Sequence, residues 1–82
     1  MPLEQNYRQR WADILSEGGE MGKYYGEKLR NSNIDPRIVF VKVLTDERVA
    51  LSVRTMVGSR YQSLAEHYLE HKELWNEPVA KI

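Results

Sequence analysis

The seven residues Ile38-Val39-Phe40-Val41-Lys42-Val43-Leu44 constrain the fold more than any other stretch, because Lys42 alone interrupts an apolar run rich in β-branched side chains. A turn-like group, Thr45-Asp46-Glu47-Arg48, follows. Val49, Leu51, Val53, Thr55 and Val57 then alternate with Ala50, Ser52, Arg54 and Met56. A period of two predicts a strand, a tight turn and a second strand. A period of about 3.6 makes the second half a helix capped by Thr45. Leu51 weighs on the choice. A helix gathers Val49, Val53, Met56 and Val57 but sends Leu51 to the opposite side. A strand keeps Leu51 with Val49, Val53 and Val57 and leaves no large apolar group in water. The β-branched content also favours extended chain. The expectation is a β-hairpin.

Helical spacing predicts the flanks. Leu3, Tyr7, Trp11, Ile14 and Leu15 form one apolar stripe from Leu3 to Glu17, with Pro2 suited to a first turn and Gly18-Gly19 a stop. Met21, Tyr24, Tyr25, Lys28 and Leu29 place a second helix over residues 20 to 31, Lys28 lending its aliphatic stem. Gly18, Gly22 and Gly26 recur four apart. They mark either a smooth groove where another helix approaches, from a second copy for instance, or a frayed helix with a loop at Gly22. Asn31 to Pro36 is a loop, Pro36 holding Asp35 out of the helical region. Gly58-Ser59 opens a last helix in which Tyr61, Leu64, Ala65, Tyr68, Leu69 and Trp75 share one face. Glu66, Glu70, Glu73 and Glu77 line the other face, and Pro78 ends the helix. The fold class expected is a single α+β domain over residues 1–82: two N-terminal helices, a β-hairpin and a C-terminal helix. A strand apolar on both faces needs cover on both, which points to a homodimer or an obligate partner.

Leu44-Thr45-Asp46-Glu47, followed by Arg60-Tyr61-Gln62-Ser63 and Glu66, resembles the core of ParD-type ribbon-helix-helix antitoxins over residues 44–68. Ser59 and Ala65 stand where that motif has a glycine and its second serine. The resemblance implies an alternative order, helix-helix-strand-helix-helix, with residues 38 to 44 as the intermolecular ribbon of a dimeric DNA-binding regulator or antitoxin. The parity that buries Leu44 would aim Val39, Val41 and Val43 at DNA, and valine donates no hydrogen bond to a base edge.

Charge separates the partner classes. Twelve basic and twelve acidic residues cancel, but residues 28 to 60 carry a net +4 between two ends of net −2 each. Neutrality offers little attraction for nucleic acid, so nucleic acid ranks below a protein partner or a second copy of the chain. The chain lacks cysteine, a bilayer-length apolar run and a signal-peptide pattern, so a cytoplasmic location is expected, with no membrane contact. His67-Tyr68-Leu69-Glu70-His71 matches the H-x-x-E-H zinc-peptidase pattern. Such enzymes need a third ligand far downstream, and both histidines also fit the flank of the apolar face beside Leu64 and Leu74, which is the reading expected. No nucleophilic triad and no phosphate-cradling glycine loop can be assembled. Catalytic, cofactor and metal residues are therefore expected to be none. The function expected is a non-enzymatic protein-binding module, an adaptor or inhibitor acting through a charged and aromatic surface. Arg48, Arg54 and Arg60 would be its basic anchors and Glu66, Glu70 and Glu73 its acidic face.

Overall fold

The computed structural model describes residues 7–76, and every assigned element is helical. In order these are α1 (Tyr7–Ser16), α2 (Gly19–Asn31), α3 (Pro36–Thr45), α4 (Leu51–Glu70) and α5 (Lys72–Asn76). Neither the β-hairpin nor any other strand is present among the described residues. The α+β class is therefore corrected to all-α, and the strand of the alternative helix-helix-strand-helix-helix order is equally absent.

Residues 38 to 44 are helical for a local reason that strand periodicity hides. Asp35 is extended (φ −57°, ψ 120°), and its carboxylate accepts a hydrogen bond from the Arg37 amide at 2.9 Å, with Pro36 opening α3. An aspartate cap followed by proline is a strong helix start, because the cap takes up a free N–H and proline has none to satisfy. Pro36, Val39, Phe40 and Val43 then face the core at helical spacing, while Ile38 and Val41 remain exposed. The β-branched residues cost helix propensity of well under about 1 kcal/mol each, which burial outweighs.

Asp46 closes α3 rather than opening the next helix, its backbone N–H bonding to the Val43 carbonyl. α4 starts at Leu51, which is 67% exposed. The helix does turn Leu51 away from Val53 and Val57, as its spacing predicts. A large apolar residue need not be covered, however; burial is a one-way rule, and a single leucine in water is ordinary. Gly58 and Ser59 lie inside α4 instead of at its start. Ser59 Oγ donates to the Met56 carbonyl at 2.9 Å. The expected last helix is broken at His71, with α5 beyond it. Pro2, Leu3, Glu77 and Pro78, with the roles expected of them, lie outside the described residues.

Two antiparallel pairs build the molecule. In the first, α2 lies against α1 through Gly22, where a Cβ would clash with the Leu15 carbonyl, and Gly26, where it would stand 2.7 Å from the Ala12 carbonyl and the Ser16 hydroxyl. The glycine series thus is a close-approach surface, but the helix it receives is α1 of the same chain. Gly19 supplies the left-handed turn between them (φ 88°). In the second pair, Leu44 of α3 meets Gly58 of α4, and Arg37 lies over the Tyr68 ring at 5.1 Å. The pairs join through a core of Leu15, Leu29, Phe40, Val43, Val49, Val57 and Trp75. Trp75 brings α5 to the centre, stacked on Tyr7 and edge-on to Phe40.

Among the described residues, one charge is inside this core. Arg8 has no exposed surface; its guanidinium donates to the Leu29 carbonyl at 2.8 Å and to the Ile34 carbonyl at 3.2 Å. It satisfies the Leu29 carbonyl that the last turn of α2 leaves open, where a helix dipole also favours positive charge, and the Ile34 carbonyl in the loop beyond. Burial pulls its pKa below the usual arginine value, opposed by Tyr68 and Asp35.

Candidate functional site

Helices α2 and α3 diverge enough to leave a cleft of about 430 Å³ lined by Met21, Tyr24, Tyr25, Lys28, Ile34, Val39, Lys42 and Arg48. Helical spacing places Tyr24 and Lys28 one turn apart, and the Lys28 ammonium sits 5.4 Å from the Tyr24 ring centroid. Lys42 reaches the same cleft from α3. Neither lysine has a carboxylate partner among the described residues. Met21, Ile34 and Val39 give the cleft an apolar floor.

Arg48 borders the cleft in a fixed pose. Its Nε and Nη2 donate to the two carboxylate oxygens of Asp46 at 3.0 and 2.9 Å. The Tyr25 hydroxyl donates to the same carboxylate at 2.7 Å. Hydrogen bonds from Arg48 and then Tyr25 hold the Asp46 carboxyl far below the usual carboxylate range, and the Asp46 bond in turn pushes the Tyr25 hydroxyl up.

Histidine and aromatic rings form a second cluster. Trp75 Nε1 donates to His67 Nδ1 at 2.8 Å, and His67 lies 4.1 Å from the Tyr7 ring and 4.5 Å from the His71 ring, centroid to centroid. Beside it, Tyr7, Trp11, Arg60, Ser63, Leu64, His67 and Trp75 line a groove of about 240 Å³. Burial, then the neighbouring His71, lowers the His67 pKa, opposed by Glu70. Because one imidazole nitrogen is occupied by the indole and His71 is non-helical (φ −133°, ψ 50°), the two histidines do not present the helical chelate of the zinc pattern. Among the described residues no three histidine, aspartate or glutamate side chains gather as a metal site.

The six residues singled out as partner contacts are dispersed. Arg48 is held by Asp46 at the α2–α3 cleft. Arg54 is half-buried, its Nε donating to the Val49 carbonyl at 2.9 Å near the start of α4. Arg60 is exposed at the α1–α4 groove. Glu66 and Glu70 are exposed on α4, and Glu73 on the first turn of α5. The pair that sequence reasoning missed is Lys28 with Lys42. The available signal was a lysine inside each of two apolar faces, one beside Tyr24-Tyr25 and one interrupting the valine run.

A third feature is the outer side of α3. Ile38 and Val41 are 46% and 44% exposed, and Leu69 on the neighbouring α4 is 54% exposed. No helix among the described residues is long and apolar enough to cross a membrane. Comparison with protein-family models, curated proteins and solved structures finds no match.

Proposed function

We propose that the chain is a small, non-enzymatic protein-binding module that pairs with a second copy through the outer face of α3. The observation that carries this reading is that two large apolar side chains, Ile38 and Val41, stand exposed one turn apart on the outer side of α3, flanked by Lys42 and Thr45. Val39, Phe40 and Val43 face the core, whereas Ile38 and Val41 face water. Neighbouring apolar side chains left in water gain by burial, and a second subunit supplies the cover. Two α3 helices crossing about a two-fold axis would bury Ile38 and Val41 against their own counterparts, an isologous contact. Charge supports the same occupant: Glu66 and Glu73 have no ion pair among the described residues, while residues 28 to 60 of the other copy carry a net +4.

Sedimentation equilibrium tests it. The protein should dimerise at micromolar concentration, and Ile38→Glu or Val41→Glu should give a monomer of unchanged helicity by circular dichroism. A monomer across the whole concentration range would overturn the reading.

A further inference from the structure

We infer that the α2–α3 cleft is a binding site for a small amphipathic anion, one carboxylate or phosphate head on an apolar body. The inference goes beyond the protein-binding reading and stands without it. Three cationic side chains, Lys28, Lys42 and Arg48, line the cleft, and among the described residues no carboxylate lines it with them. Arg48 is partly neutralised by Asp46, which faces the adjoining depression. Neither lysine is in an ion pair among the described residues, although Lys42 shares the adjoining depression with Asp46 and Glu47, and Lys28 borders one with Glu27. Like charges facing one cleft repel, and a bound anion converts that repulsion into attraction. The floor of Met21, Ile34 and Val39 and the ring of Tyr24 offer the apolar surface that a bare inorganic ion would leave unused. The volume, about 430 Å³, falls within the range of small-molecule sites, which are apolar with a few convergent polar groups. The Tyr25 hydroxyl, at the cleft wall, is committed as donor to Asp46, so the head group is read by the lysines.

Octanoate is the probe, with octylammonium as its charge-reversed control and inorganic phosphate as a head without a body. Binding is followed by calorimetry and by amide chemical shifts of α2 and α3, on the wild type and on Ile38→Glu, so that loss of the dimer and loss of the cleft are told apart. Octanoate should bind at least about tenfold more tightly than either control, a difference of about 1.4 kcal/mol. Lys42→Glu and Lys28→Glu, both at exposed positions, should each weaken it about tenfold, and Lys23→Glu, an exposed lysine of α2 outside the cleft, should leave it unchanged. Equal binding of octanoate and octylammonium, a Lys23→Glu loss matching that of Lys42→Glu, tighter binding of phosphate alone, or no octanoate binding would each overturn the assignment.

Discussion

The indole Nε1 of Trp75 donates to Nδ1 of His67 across 2.8 Å, tying α5 to α4 beside the Tyr7 ring of α1. An indole N–H is a donor only, so His67 must accept through Nδ1 and carry its proton on Nε2. Protonation would set two donors against each other at the point where three helices meet.

This fixes the sign of a pH dependence. The folded His67 pKa is lowered by burial and by His71, against Glu70, so the unfolded chain binds the proton more readily. The stability it contributes is complete above the unfolded histidine pKa of about 6.5 and is lost as pH falls below that value toward the folded pKa. Urea midpoints followed by tryptophan fluorescence should fall between about pH 7.5 and about pH 5.5. The fall should shrink in His67→Gln, measured against that variant's own lower plateau.

Arg8 should be more sensitive than any surface arginine. Arg8→Met keeps much of the volume but leaves the Leu29 and Ile34 carbonyls without their donor, and should cost about 1–3 kcal/mol. Arg8→Ala adds an unfilled space and should cost more. Arg60→Ala, by contrast, should change stability by no more than about 0.5 kcal/mol. Urea denaturation of the three variants side by side checks the order.

Two glycines in helix interiors should respond to alanine with opposite sign. Helix propensity alone favours alanine by about 1 kcal/mol. At Gly26 the added Cβ would meet the Ala12 carbonyl and Ser16 Oγ at 2.7 Å, so Gly26→Ala should destabilise. At Gly58 its nearest neighbour is a flexible methyl of Leu44 at 3.4 Å, so Gly58→Ala should stabilise by up to about 1 kcal/mol. Thermal melts of the two variants would show the divergence directly.

The Tyr25 hydroxyl anchors the loop after α3 through Asp46. Tyr25→Phe should cost about 1.5–3 kcal/mol, the net worth of one hydrogen bond to a charged group. It should also raise the acid midpoint. The folded Asp46 pKa is depressed, first by Arg48 and then by Tyr25, so its stability is present above the unfolded carboxylate pKa and disappears as pH falls toward the folded one. Carboxyl shifts followed by NMR through an acid titration report the change at Asp46 itself.

Elements with one wet and one dry face were readable from spacing. The extents of α1 and α2 and the stop at Gly18-Gly19, with its left-handed Gly19, follow from apolar spacing. The faces do so only in part: α1 buries Arg8, Ala12 and Leu15 with Tyr7, Trp11 and Ile14 at the margin, and Tyr24 and Lys28 of α2 are exposed. The stretch from Tyr61 to Trp75 was readable only in part. Leu64, Tyr68 and Trp75 are buried as their spacing predicts, but Leu69 is exposed and the helix breaks at His71.

The cleft was not readable in the same way. Lys28 and Lys42 are fourteen positions apart and belong to different helices, so no spacing rule links them. Arg54 shows the converse. It reads as a surface anchor, yet the Val49 carbonyl claims its guanidinium.

The Gly18-Gly19 turn depends on neighbours within a few residues, so the sequence determines it. The Asp35-Pro36 cap is equally local but is hidden by the strand-like run after it. The glycine face of α2 needed the fold to choose between its two readings, because Gly26 meets Ala12 fourteen positions away. The valine-rich middle was different. Its spacing and β-branching favour a pleated strand, and that expectation is overturned by the Asp35-Pro36 cap and by the core that Val39, Phe40 and Val43 form with Trp75, Leu15 and Val57. Burial against distant partners outweighs a propensity difference of well under about 1 kcal/mol per residue, and those partners exist only once the chain has folded back on itself.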